Sequence, residues 1–194
     1  PNQPDGTHYD YEVDAQTTAT FAHLSWVLTP LWSVDAGLRI EETRYDYKNR
    51  TGDGSACAPS ASACRFYRPA SRKDSFADWT GNVAVSRHTD TTTLYGRLAK
   101  GFRVPQATEL YRLQSGQAVA EIDAETGDSV EFGIRNHYEH LSYDLSAYLM
   151  SKRDVIFQDR DRYNVSGAKT THRGIEGSLQ WQLSSIWCLG GNAS

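Results

Sequence analysis

The sequence holds one methionine and three cysteines in 194 residues, and nowhere a run of 18 apolar residues. That rules out a membrane-spanning helix, which needs about 20 mostly apolar residues. It does not rule out a membrane β-barrel, because only alternate residues of a barrel strand meet lipid. Positive charge is not in excess: 20 Lys+Arg stand against 24 Asp+Glu, a formal net charge of −4. A nucleic-acid partner is therefore not expected, since such proteins carry a basic excess on one face. There is no Gly-rich phosphate loop and no nucleophile elbow, and no spacing points to an acid–base pair or triad. Neither an enzyme nor a cofactor is expected. The chain begins "PNQPDG", without a Met or an apolar leader, and stops at "LGGNAS" inside a strand-like stretch. It reads as an internal piece of a longer chain.

What is present is period-2 alternation, with no convincing amphipathic helix. Trp32, Val34, Ala36, Leu38 and Ile40 share one face, and Ser33, Asp35, Gly37, Arg39 and Glu41 the other. The split recurs at Val130, Phe132 and Ile134, again at Leu141 to Leu149, and again at Ile175, Leu179, Trp181 and Leu183. One apolar and one charged face is the pattern of an antiparallel sheet wetted on one side. Eight strands are predicted, near 15–28, 31–47, 78–87, 91–102, 128–136, 140–156, 169–183 and 186–194. Their connections alternate between tight turns (29–30, 88–90, 137–139, 184–185) and long links (48–77, 103–127, 157–168). Outer-membrane barrels sort their loops this way, short on the periplasmic side and long outside. Trp26, Trp32, Tyr45, Tyr47, Trp79, Trp181 and Trp187 lie near turns and strand ends, as an aromatic girdle would. The fold class is all-β, a transmembrane antiparallel up-and-down barrel segment.

The run "LYGRLAKGFRVPQATELYRLQ" resembles the TonB-dependent receptors, the plugged outer-membrane transporters of Gram-negative bacteria, through Tyr95, Gly101, Phe102, Arg103, Pro105, Glu109, Leu110 and Tyr111. "SVEFGIR", "SAYLMSKRDVIFQD" and "WSVDAGLRIEETRYDY" are similar to further family strands, as is "THRGIEGSLQWQL" through Gly174 and Glu176. The resemblance covers nearly the whole chain. It implies uptake of a scarce ligand, most often a ferric siderophore, with TonB acting through a plug. Plug, TonB box and the aromatic C-terminal residue of a complete barrel are missing, so residues 1–194 are expected to be part of the barrel domain with both barrel ends absent. Eight strands of about 22 make roughly a third of such a wall.

Within the shared motif, Gly101 tolerates release from the ladder and Pro105 stops pairing. Arg103, Glu109 and Arg112 are able to pair with one another or with a ligand, and the architectural reading is the preferred one. Cys57 and Cys64 have spacing suited to a small disulfide on an oxidising outer face, two free thiols being the alternative. Cys188 is expected to be a small packed residue. His137 and His140 read as solvated turn residues. "QDRDRYN" lacks calcium-loop spacing, and its alternating Asp and Arg suggest local ion pairs. No metal site is expected. Ligand contacts are expected from the long links, where Arg65, Tyr67 and Arg68 are the first candidates, followed by Arg112, Arg160 and Tyr163. The alternative is that these residues pair with Asp and Glu of neighbouring loops. Competing readings are a passive porin-like channel and a soluble all-β carbohydrate-binding module, which would bury its apolar face under a second sheet.

Overall fold

A computed structural model of the chain describes residues 8–57 and 64–194. Residues 1–7 and 58–63, the start of the N-terminal segment and the middle of the link 48–77, lie outside the described residues. In chain order the elements are β1 (Tyr11–Thr29), β2 (Trp32–Asn49), β3 (Gly54–Ser55), β4 (Phe66–Arg68), β5 (Arg72–His88), β6 (Thr92–Arg103), α1 (Ala107–Tyr111), β7 (Leu113–Gln114), β8 (Glu125–Tyr138), β9 (Leu141–Gln158), β10 (Asn164–Gln182) and β11 (Cys188–Ala193). The eight long strands form one antiparallel sheet in the order β1-β2-β5-β6-β8-β9-β10-β11. Each predicted strand corresponds to one of these. The short pieces β3, β4 and β7 make a separate three-stranded sheet above it.

The registers place the alternating apolar residues in continuous rows. Leu24 pairs with Ala36, Ala36 with Val83, Val83 with Leu98, Leu98 with Val130 and Val130 with Leu149. This face is uncovered: Ile40 is 59% exposed, Phe132 66% and Ile175 73%. A soluble sandwich would hide it under a second sheet; among the described residues nothing does.

The opposite, inner face carries cross-strand aromatic contacts that explain two glycines. Tyr95 pairs with Gly133 and Tyr148 with Gly174. A Cβ at Gly133 would lie 2.4 Å from the Tyr95 ring, and one at Gly174 2.8 Å from the Tyr148 hydroxyl. Each ring thus lies over bare backbone on the next strand, a pairing that covers glycine in a sheet. Glu176, on the same inner face, is exposed and pairs with no cation among the described residues.

Going up β2, polarity inverts. The outward residues are Trp32 to Ile40 in its lower part and Glu42, Arg44, Asp46 and Lys48 above. These upper ones pair outward, Arg44 with Glu42 at 2.8 Å, Lys48 with Asp14 at 3.2 Å and Lys73 with Asp46 at 3.2 Å. The inward residues become aromatic instead. Tyr45 and Tyr47 therefore do not belong to a lipid-facing girdle, contrary to expectation. Tyr47 is 1% exposed, within a core formed where the upper links fold onto the inner face. The five tryptophans are all exposed, between 42% and 70%, four of them on the sheet and Trp187 in the turn before β11. An 18-residue strand is roughly 60 Å long at about 3.3 Å per residue. Tilted by about 40° it stands roughly 45 Å tall, against an apolar band of about 25 Å. The charged upper part is the excess.

Two further expectations are corrected. The third link is not long: β9 runs to Gln158 and β10 starts at Asn164, because the pairing survives two register shifts around Ala168, with Gly167 at φ +111. Cys188 is exposed rather than packed: it lies opposite Gln182 on β10, and its Sγ accepts from the Gln180 side-chain amide at 3.7 Å.

Candidate functional site

The rim site begins where β6 leaves the sheet. Pairing of β6 with β5 ends at Gly81–Lys100, whereas pairing with β8 continues through Gly101, Phe102 and Arg103. Gly101 thus marks a release on one side only. The chain then crosses the inner face. Pro105, almost fully buried, accepts a hydrogen bond from the Tyr45 hydroxyl at 3.2 Å.

Arg103 fastens this segment. Its guanidinium donates to both oxygens of Glu109, at 3.0 and 3.1 Å, and to both oxygens of Glu125, at 3.1 and 2.9 Å. Glu109 also accepts from the Gln106 backbone N–H at 2.6 Å, closing the first turn of α1. Glu125 also accepts from the Ile156 N–H at 2.8 Å. One arginine therefore connects β6, α1, β8 and β9. The paired guanidinium holds the Glu125 carboxyl below its ordinary range, with burial partly opposing. Leu110 and Tyr111 plug into the inner face below, at 2% and 0% exposure. The Tyr111 ring stacks on Tyr47 at 4.2 Å, and its hydroxyl donates to Asp74 at 2.7 Å. Burial first, then that bond, pushes the Tyr111 hydroxyl pKa well up.

The upper links are tied to one another. β4 pairs with both β3 and β7. Asn164 donates from Nδ2 to the Glu109 carbonyl at 2.7 Å, and the Gln117 side chain donates to the Asn164 carbonyl at 2.8 Å. Cys57 and Cys64 are joined by a disulfide, Cα atoms 5.6 Å apart, just before β4.

Between these links lies a cleft of about 640 Å³, lined by His8, Tyr9, Phe66, Arg112, Gln114 and Asn164 among others. Arg112 lies 6.0 Å from the ring centres of both Tyr9 and Tyr11, and its Nε donates to the Tyr11 hydroxyl at 3.2 Å. The Tyr9 hydroxyl, raised in pKa by burial against the opposing pull of Arg112, donates to the Leu113 carbonyl at 2.9 Å. Arg65 donates to Gln114 at 3.1 Å.

The six sequence candidates separate. Arg112 lines the cleft and Arg65 borders it through Gln114. Arg68 turns away and donates to the Ser55 carbonyl at 2.7 Å, and Tyr67 packs on the buried core. Tyr163 donates to the Ser115 carbonyl at 3.3 Å, and Arg160 is exposed in the β9–β10 turn. Among the described residues, none of the four arginines pairs with a carboxylate. The expected ion pairs of "QDRDRYN" are replaced by backbone capping: Asp159 accepts the N–H groups of Asp161 and Tyr163, each at 2.9 Å. Sequence reasoning missed His8, Tyr9, Phe66, Gln114 and Asn164 in the cleft. The alternation of Tyr9, Tyr11 and Val13, continuous with the inner face of β1, was the available signal.

Comparisons with known proteins agree with this architecture. The family model for the TonB dependent receptor-like β-barrel matches residues 1–194. Comparison with curated proteins gives no match. Among solved structures the chain is similar to the copper transporter OprC, with TM-score 0.74 and 21% identity over 93% of this chain and 27% of that one. It is also similar to the ferric yersiniabactin uptake receptor FyuA from Yersinia pestis, with TM-score 0.68 and 19% identity over 94% and 26%. The siderophore receptor PiuA from Acinetobacter baumannii gives TM-score 0.68 and 16% identity over 91% and 24%. The chain thus spans about a quarter of the length of these structures, and at such identities the likeness concerns the fold. Sheet, motif segment and family match converge: the chain belongs to the β-barrel part of the TonB-dependent receptors, a family of transport receptors rather than enzymes.

Proposed function

We propose that the chain is a stretch of wall from a Gram-negative outer-membrane receptor that captures a scarce ligand at its rim. Uptake is then driven by TonB through a plug lying elsewhere in the protein. Residues 1–194 supply roughly a third of a barrel of about 22 strands. The uncovered apolar rows meet outer-membrane lipid, the tight turns face the periplasm, and the tied links face outward. Trp and Tyr at lipid–water boundaries and short periplasmic turns support this orientation.

The ligand is read as an anionic metal chelate of the ferric-siderophore kind. One observation carries this: Arg112, which pairs with no carboxylate among the described residues, brings a cation to a cleft lined by the Tyr9 and Phe66 rings, and the Glu109 carboxylate that also borders the cleft is held by Arg103. A guanidinium and flat aromatic faces suit a delocalised anion, and the amides of Gln114 and Asn164 add neutral donors. The names of two similar structures point to siderophores, whereas a third is a copper transporter.

The test is ligand binding by the full-length receptor carrying Arg112→Ala together with Arg65→Ala. Binding of a panel of ferric chelates should weaken at least about tenfold, the loss of one or two charge-assisted bonds. Heat-modifiable barrel folding should be retained. Unchanged binding and uptake in that double variant removes the cleft from the capture site.

A further inference from the structure

We propose that the upper edge of β5, residues 73–79, is a docking edge for an extended polypeptide segment arriving from outside the cell; "outside" rests on the orientation proposed above. The phase of the ladder identifies the groups concerned. The His88 N–H donates to the Leu31 carbonyl at 2.7 Å, so even-numbered residues of β5 bond toward β2. Odd-numbered residues bond toward β6. That ladder ends at Gly81–Lys100, because β6 departs inward toward Pro105. Trp79 solves its loss locally, its N–H donating to the Asp78 carboxylate at 2.7 Å, where Lys100 also binds at 2.7 Å.

Above this knot, Lys73, Ser75 and Ala77 turn their N–H and C=O groups to the vacated side, with no hydrogen-bond partner among the described residues. All three are exposed. The opposite edge of the same stretch is fully occupied by β2, from Tyr47↔Arg72 to Arg39↔Thr80. Both sheet neighbours of β5 belong to the described chain, so this gap differs from the outer edges of β1 and β11.

The occupant follows from the chemistry. A row of alternating backbone donors and acceptors at strand spacing is matched by another extended backbone. The outward side chains at the middle of the edge, Ser75 and Ala77, are small and place no bulk beside an incoming strand. The inward ones are already engaged: Asp74 with Tyr111, Phe76 with Tyr45 and Asp78 with Lys100. Docking therefore needs no rearrangement of the rim core.

The experiment uses the full-length receptor in nanodiscs, without TonB or chelate, so that its outcome is independent of ligand capture. The probe is a synthetic peptide copying residues 39–47, the natural partner of the other edge. It should bind and slow amide hydrogen exchange at Lys73, Ser75 and Ala77. The same peptide N-methylated at alternate amides, and the receptor variant Ala77→Pro, should each bind at least about tenfold more weakly. Ala77 donates nothing to the β2 ladder, so proline there keeps that pairing. If Ala77→Pro fails to fold, the N-methylated peptide decides alone. No binding, equal binding of the N-methylated peptide, or slow exchange at these amides in the free receptor would each overturn the proposal.

Discussion

Removing the Arg103 guanidinium should undock the 104–124 link while leaving the barrel wall standing. Arg103→Ala deletes four charge-assisted bonds and leaves the Glu109 and Glu125 carboxylates without the cation that bridges them, only the more distant Lys152 still acting on Glu125. Their side chains are 24% and 15% exposed, so both are substantially desolvated. Breaking a buried pair costs about 3–5 kcal/mol and an exposed one about 0–1 kcal/mol. With Arg103 itself 38% exposed, a value of about 2–3 kcal/mol is reasonable. That loss falls on docking of the link, which shifts its docked-to-undocked ratio roughly 30- to 150-fold. Amide hydrogen exchange in the full-length receptor reads this directly: protection at Leu110, Tyr111 and Leu113 should fall by that factor, while protection within β9 remains. Adding Glu109→Gln and Glu125→Gln should restore part of it by removing the like-charge pair. Unchanged protection at Tyr111 in Arg103→Ala would refute the clamp, and failure of the triple variant to recover would refute the electrostatic reason for it.

The same clamp gives a pH dependence. Glu125 is held below the ordinary carboxylate range, so its contribution is complete above about pH 4.3 and is lost as pH falls through its lowered folded value; link protection should be flat near neutrality and drop only in acid, and a loss on raising the pH from 5 to 8 would contradict the sign. Replacing Cys57 and Cys64 by Ser should loosen the 50–71 link locally, the bridge being worth ~2.5 kcal/mol in the chain-entropy model; an unchanged rate of protease cleavage in that link would count against it. An epitope tag at Gly54, in the β3 segment, should be reached by antibody on intact cells, and labelling only after rupture of the outer membrane would reverse the orientation.

How much of this was legible in the sequence depends on height along the strand. Around Trp32 to Ile40 one side of the sheet is apolar and uncovered and the other polar, which gives a clean alternation, and those strands were readable. Above Glu41 the outward side is wet and the inward side is covered by links, so the contrast reverses. Tyr45 and Tyr47 keep the inner parity of Arg39 and Glu41, yet they looked like girdle residues because they are aromatic and lie near the expected end of the strand. The same reversal hid the lengths of β1, β5 and β10, whose upper parts lack the expected pattern while still pairing. The small sheet of β3, β4 and β7 and the single turn of α1 are too short to leave any periodicity. The cleft escaped for another reason. Its lining comes from residues as far apart as Tyr9 and Asn164, and long-range assembly of loops leaves no local mark. Arg103 and Glu109 were singled out together, but their third partner, Glu125, lay beyond the motif.

The inversion of polarity along β2 also bears on which changes of chain length the wall tolerates. A two-residue insertion below Ile40 keeps every side chain on its own side and raises the changeover by about 7 Å of strand. A one-residue insertion at the same place reverses every residue above it while the strand below keeps its facing: Glu42 and Arg44 would point inward onto the Tyr111 stack, and Tyr45 and Tyr47 would turn out into water. Length variation in these strands should therefore come in even steps, with odd ones confined to the links or absorbed by a bulge such as the one beside Gly167.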